Sequence, residues 1–145
     1  MKKYTFLLFT LTALLGLQAC KKETAKSKTE LLTQKTWLIQ KFEEKAGTAN
    51  WTDDFPNWDA CSKDDQYIFR ANNTYEFNEG ATKCDPNDPQ VFATGAWTFL
   101  ENETKIRIGT DDFTIQQLDN SSLILTAQET VGGTLYQIRI TFRHL

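Results

Sequence analysis

"TLYQIRITFR" runs from Thr134 to Arg143. Tyr136, Ile138, Ile140 and Phe142 alternate with Gln137, Arg139, Thr141 and Arg143. A period of two puts one set on each face of an extended chain, so the stretch reads as a strand with one buried face. Seven earlier stretches read as strands too. They are "TWLIQKF" from Thr36, "DQYIFR" from Asp65, "TYEFNE" from Thr74, "ATGAWTFL" from Ala93, "TKIRIG" from Thr104, "DFTIQQL" from Asp112 and "SSLILTA" from Ser121. Most connections between them are of hairpin length. Asn72 and Asn73 suit a tight turn, because asparagine tolerates positive φ. No helical segment separates the strands, which disfavours parallel pairing. A meander of this kind removes its edges by closing on itself. The predicted fold is all-β: an eight-stranded antiparallel up-and-down barrel with a short N-terminal helical turn. A two-sheet β-sandwich is the alternative that periodicity does not separate from it.

The helical turn is read from Ser27 and Glu30, an S-x-x-E capping box. It opens "TELLTQ" (Thr29 to Gln34), whose Leu31 and Leu32 are placed to cap one end of the domain. The 145-residue length fits one such domain. The chain carries 16 basic and 19 acidic residues, a net charge of −3, which argues against a nucleic-acid partner.

The N-terminal segment has a different composition. Lys2 and Lys3 precede the apolar run "TFLLFTLTALLGL" (Thr5 to Leu17), the pattern of a secretory signal and too short to span a membrane with these flanks. It ends "LQAC", and Leu17, Gln18, Ala19 and Cys20 resemble the lipobox of bacterial lipoproteins. That resemblance implies cleavage after Ala19 and lipid on Cys20. The expected organisation is a signal peptide over 1–19, a lipidated cysteine and flexible tether over 20–29, and the barrel over 30–145. Two or more acyl chains make a stable anchor. Cys61 and Cys84 remain. In an exported chain they are free to form a disulfide, which would contribute roughly 3 kcal/mol. Free thiols and a two-cysteine metal site are the alternatives, and one histidine leaves zinc short of ligands.

These features meet a known family. "LLTQKTW", "CSKDDQYIFRANNTYEFNEGATKC" and "GAWTF" resemble the lipocalin-like domain lipoproteins of Bacteroidetes. The shared frame falls on Leu32, Trp37, Cys61, Asp64, Asp65, Tyr67, Phe69, Thr74, Tyr75, Glu79, Gly80, Lys83, Cys84, Gly95 and Trp97. The resemblance implies a lipocalin-like barrel, a Cys61–Cys84 disulfide and an outer-membrane anchor, with periplasmic or surface facing left open. The chain departs from true lipocalins in having Lys35-Thr36-Trp37 where they have G-x-W. A basic residue near their last strand packs over that tryptophan, a role open here to Arg139 or Arg143.

The residues offer four kinds of site. The first is a cavity for a small hydrophobic molecule. Its lining would come from Trp37, Tyr67, Phe69, Tyr75 and Trp97, with Phe77, Phe99, Phe113, Leu123, Leu125, Tyr136 and Ile138 in the same inward set. Trp51, Phe55 and Trp58, in the loop "NWTDDFPNWDAC" (Asn50 to Cys61), would guard the mouth. An eight-stranded barrel can instead fill with side chains, and mostly short strands leave little depth. The second is a cation site on Asp53, Asp54, Asp59, Asp64, Asp65, Asp85 and Asp88. Those residues are also ordinary turn formers, so no metal or other cofactor is expected. Third, phosphate-cradling and nucleophile motifs are missing, and His144 stands at the chain end, so no enzyme is expected. Fourth, the same three aromatics, if exposed, would suit a protein partner. The alternative function is then an accessory or inhibitory subunit of an envelope complex, built on a filled barrel.

Overall fold

The computed structural model describes residues 25–145. The expected signal peptide, Cys20 and the start of the expected tether lie outside the described residues. The elements are α1 (Lys28–Thr33), β1 (Trp37–Ala46), β2 (Thr52–Asp53), β3 (Gln66–Phe69), β4 (Thr74–Asn78), β5 (Val91–Leu100), β6 (Lys105–Ile108), β7 (Asp111–Leu118), β8 (Ser122–Val131) and β9 (Thr134–His144). Neighbours from β3 to β9 pair antiparallel in sequence order, and β1 closes the sheet by pairing with β9 from Trp37–His144 to Ala46–Tyr136. β1, β3 and the six strands after them form a closed eight-stranded up-and-down barrel, not a sandwich. The two-residue β2 is an addition. It lies along β1 at Glu43 and Glu44, on the edge where β3 pairs at Trp37.

Register decides which residues face inward. Ile39 lies opposite Phe142, and Phe42 opposite Ile140. One extra residue between Ile39 and Lys41 makes a bulge there. It resets the phase, so Phe42, Glu44 and Ala46 continue the inner face. The inner set of the lower barrel is a solid core. Leu32, Trp37, Ile106 and Leu123 are fully buried, and Phe69, Trp97, Leu125 and Phe142 nearly so. Phe69 meets Trp97 edge to face at 6.3 Å, and Tyr67 meets Phe142 at 5.4 Å.

α1 seals this end. Ser27 Oγ accepts from the Glu30 N–H (3.2 Å), and the Glu30 carboxylate accepts from the Ser27 N–H (2.7 Å), as a capping box requires. Leu32 enters the core, and its carbonyl accepts the Trp37 indole N–H at 2.8 Å. A buried indole is thereby satisfied. The basic-residue role over Trp37 falls to neither Arg139 nor Arg143. His144 stacks there, with ring centroids 3.9 Å apart. Nor is His144 a frayed end: it pairs with Trp37 in β9, and the Leu145 N–H donates to the Thr36 carbonyl at 3.0 Å.

The strands are longer than their apolar patterns predict. β1, β5 and β8 have 10 residues each and β9 has 11. At about 3.4 Å per residue, β8, β9 and β1 raise a wall well above the solid core. The added residues, "EEKA" in β1 and "QETV" in β8, break the apolar alternation, with Glu44 and Glu129 in the inward phase. Hydrogen bonding across β1, β9 and β8 holds them in the sheet although their inner face is open to water.

Candidate functional site

The two barrel ends differ. At the α1 end, Lys28 Nζ donates to the Glu103 carbonyl (2.6 Å) and Lys26 Nζ to Asn120 Oδ1 (3.1 Å), so the segment entering α1 is tied to two hairpin turns. The opposite end carries the long loops 54–65 and 79–90 and the turns at Gly109 and Gly132–Gly133.

The long loops cover one side of that end. Asp53 Oδ1 accepts from the N–H groups of Phe42 (3.4 Å) and Phe55 (3.2 Å). The Asp54 N–H donates to the Phe42 carbonyl at 2.8 Å. These bonds pin the loop to β1. Trp58 then packs 5.3 Å from Phe42 and 5.4 Å from Phe55, and Phe55 and Trp58 both rest on the core. The Cys61–Cys84 disulfide, with Cα atoms 5.2 Å apart, joins the two loops. Beneath it, Asp64 Oδ2 accepts from the N–H groups of Ala81 (3.0 Å) and Thr82 (2.9 Å). Gly80, at φ +64°, lies against the Asp64 carbonyl, where a side chain would collide.

Charge is concentrated here. Burial, then the nearby Glu79 and Asp64 carboxylates, pushes Asp65 up to about 6. Burial, with Asp65 adding, pushes Tyr67 up to about 12. Among the described residues no three histidine, cysteine or carboxylate side chains are arranged to hold a metal ion. Asp53, Asp64 and Asp85 accept backbone N–H bonds in their loops instead.

The other side of this end is open. A cavity of about 490 Å³ is lined by Asp111 and Phe113 of β7, Ala127 and Glu129 of β8, and Tyr136 and Ile138 of β9, with Thr110, Asp112 and Gln128 at its edge. A second, of about 340 Å³, lies between Glu44, Lys45, Ala46, Ala49, Asn50, Thr52 and Gln137 and shares Tyr136 and Ile138. The inward alternation of β8 and β9 continues through these residues, since Ala127 faces Ile138, Glu129 faces Tyr136 and Ile138 faces Glu44. The cavities are thus the upper, unfilled part of the barrel interior. A third hollow, of about 630 Å³, is a polar trough on the outside of β6 to β9, including Thr114, Gln116, Thr126, Gln137 and Arg139, and it shares Asp112, Ala127 and Gln128 with the first cavity.

The residues expected at a ligand site separate into three groups. Trp37, Phe69 and Trp97 are buried in the solid core, and Tyr67 and Tyr75 pack against it. Phe55 and Trp58 cover that core. Trp51 departs from the expectation that it guards the mouth. It walls the outer trough, 4.5 Å from the Arg139 guanidinium and 5.0 Å from Lys45 Nζ. The cause is β2: pairing Thr52 with Glu44 and Asp53 with Glu43 sets Trp51 in the outward phase of Lys45. Arg139 is held there by a two-pronged ion pair to Glu43, at 2.7 and 2.8 Å. Phe113, Tyr136 and Ile138 do line the open part. Glu44, Asp111, Ala127 and Glu129 line it as well and carry no apolar signal. Extending the alternation of the β8–β9 hairpin to its turn would have found two of them.

A closed antiparallel barrel, sealed by a helix at one end and open at the other, has the form of a calyx. The model of the lipocalin-like domain family matches residues 33–125. The chain belongs to that family. The match ends within β8, before Ala127, Tyr136 and Ile138. The comparison with curated proteins gives no match.

Proposed function

We propose that this chain is a non-enzymatic binding module of the bacterial cell envelope, whose open barrel end takes a small apolar molecule. The observation that carries the reading is Tyr136. It lies in the inward phase of β9, two residues from Ile138, yet is 46% exposed. An inward ring with no partner marks the place where the core stops and a guest could begin. About 490 Å³ is within the usual range of small-molecule sites, and Phe113, Ala127 and Ile138 supply apolar walls.

The anchoring part of the proposal rests on sequence. Lys2, Lys3, the apolar run to Leu17 and Cys20 support a lipidated N-terminus at the outer membrane, with a tether over 20–29 and the barrel over 30–145. The chain enters the barrel at its sealed end, so the tether from Cys20 would join the domain on the side opposite the mouth.

Two measurements test this. Mass spectrometry of an organic extract of the purified protein should reveal a stoichiometric small molecule, or an apolar dye should bind saturably. No ligand and no saturable binding would overturn the binding reading. Growth with an alkyne-tagged fatty acid should label the wild type and leave Cys20→Ser unlabelled. An unlabelled wild type would overturn the anchor.

A further inference from the structure

The inward phase of the barrel strands carries one sign of charge, and the larger mouth cavity is lined by carboxylates and by no lysine or arginine. In the inward phase of the barrel strands the charged residues are Glu44, Asp111 and Glu129, opposite Ile138, Ile108 and Tyr136 respectively. All three are acidic. The strand bases, Lys41, Lys45, Lys105, Arg107, Arg139 and Arg143, stand in the outward phase of the same strands. Where these bases pair, they pair with outward carboxylates or the nearby turn: Arg139 with Glu43, Arg107 with Asp112, Lys105 with Glu101. Among the described residues no cation pairs with Glu44, Asp111 or Glu129.

Two of these free carboxylates share the mouth with two rings. Asp111 and Glu129 line the same cavity as Phe113 and Tyr136. Carboxylates attract a cation directly, and aromatic faces attract it through their quadrupole. Both groups act against an anion, and a neutral apolar body gains only the contact area. We infer that the ligand of this mouth is an apolar molecule bearing a positive charge, such as an alkylammonium. Fatty carboxylates are then the wrong class. This inference rests on the mouth being the ligand site.

The test compares three ten-carbon probes, each titrated calorimetrically below its micelle-forming concentration into the purified protein: decyltrimethylammonium, decanol and decanoate. The expected order is cation, then neutral, then anion, with the cation about tenfold tighter than decanol at low salt. The double variant Asp111→Asn/Glu129→Gln should remove most of the cation's advantage over decanol, leaving only what Phe113 and Tyr136 supply, and should leave decanol unchanged. Equal binding of all three, or decanoate tightest, would overturn the charge inference and leave the cavity reading standing. A cation preference undiminished in the double variant would overturn it too, by placing the cation elsewhere. No binding of any probe would sink the cavity reading and this inference together.

Discussion

The imidazole of His144 lies on the indole of Trp37, with centroids 3.9 Å apart and planes tilted by 31°. This contact joins the first and last residues of the β1–β9 closure at the sealed end. Burial, then the positive charge of Lys35, holds the imidazole below its ordinary value near 6.5. The unfolded chain therefore takes the proton more readily. Stability from this group is fully present above about pH 6.5 and is lost as pH falls through the folded value. His144→Phe keeps a ring on Trp37 and removes the titration. Thermal unfolding between about pH 7.5 and 5 should give a shallower loss of Tm in the variant than in the wild type. Parallel profiles would show that His144 does not titrate differently on folding.

Asp65 works in the opposite direction. Its folded value is about 6 against 3.8 for the unfolded group, with burial first, then Glu79 and Asp64, as the cause. The folded state holds this proton more tightly. Its relative stability is full below pH 3.8 and declines as pH rises through about 6. Asp65→Asn should therefore raise Tm near neutral pH, and the gain should be gone by about pH 3.5. A gain of equal size at both pH values would point to some other effect of the amide.

Arg139 links three elements from the outside. It forks onto Glu43 of β1 at 2.7 and 2.8 Å, and its guanidinium faces Trp51 at 4.5 Å. Lysine keeps the charge but loses the fork and the flat stacking surface. Arg139→Lys should cost about 1 kcal/mol in chemical unfolding and red-shift the tryptophan emission as Trp51 is uncovered. A variant within about 0.3 kcal/mol of wild type would mean that the pair and the stack are solvated decoration.

The sequence made the sealed half of the barrel legible and left the open half obscure, for a physical reason. Where Ile140 and Phe142 of β9 face a solid core, alternation between apolar and polar residues follows directly. Where Glu44, Ala46 and Glu129 face an open mouth, the inner face is wet and the alternation vanishes, although the sheet continues. The bulges after Ile39 and after Ile115 are invisible for a related reason, because a single extra polar residue looks like any solvent-facing position. Trp51 faces outward because its direction is set by β2 lying along β1, a contact between a loop and a strand that no local pattern encodes. Cys61 and Cys84 pair as the family resemblance implied.

The loop pair on the covered side should be stapled rather than built by its disulfide. Cys61 and Cys84 are 23 residues apart, and neither belongs to the core. The double variant Cys61→Ser/Cys84→Ser should lose roughly 3 kcal/mol yet keep the far-ultraviolet signature of the barrel. Gly80→Ala is the harsher change. Its φ of +64° disfavours a side chain, and the new Cβ would meet the Asp64 carbonyl. A loss of about 2 kcal/mol or more is expected, and an unchanged Tm would show that the two loops can separate freely.

Ala127 offers the most direct control over the mouth. It faces Ile138 across the β8–β9 pair and lines the cavity with Phe113 and Tyr136. Ala127→Trp places a ring in space that is otherwise open, so the core below need not move. Binding of an apolar cation or dye should weaken at least about tenfold, while Tm stays within a few degrees of wild type or rises. Ile124→Trp is the matching control, since Ile124 belongs to the outward phase of the same strand and walls the outer trough. It should leave mouth binding intact. If Ala127→Trp binds normally and Ile124→Trp does not, the ligand sits in the outer trough beside Trp51, and the barrel interior is not its site.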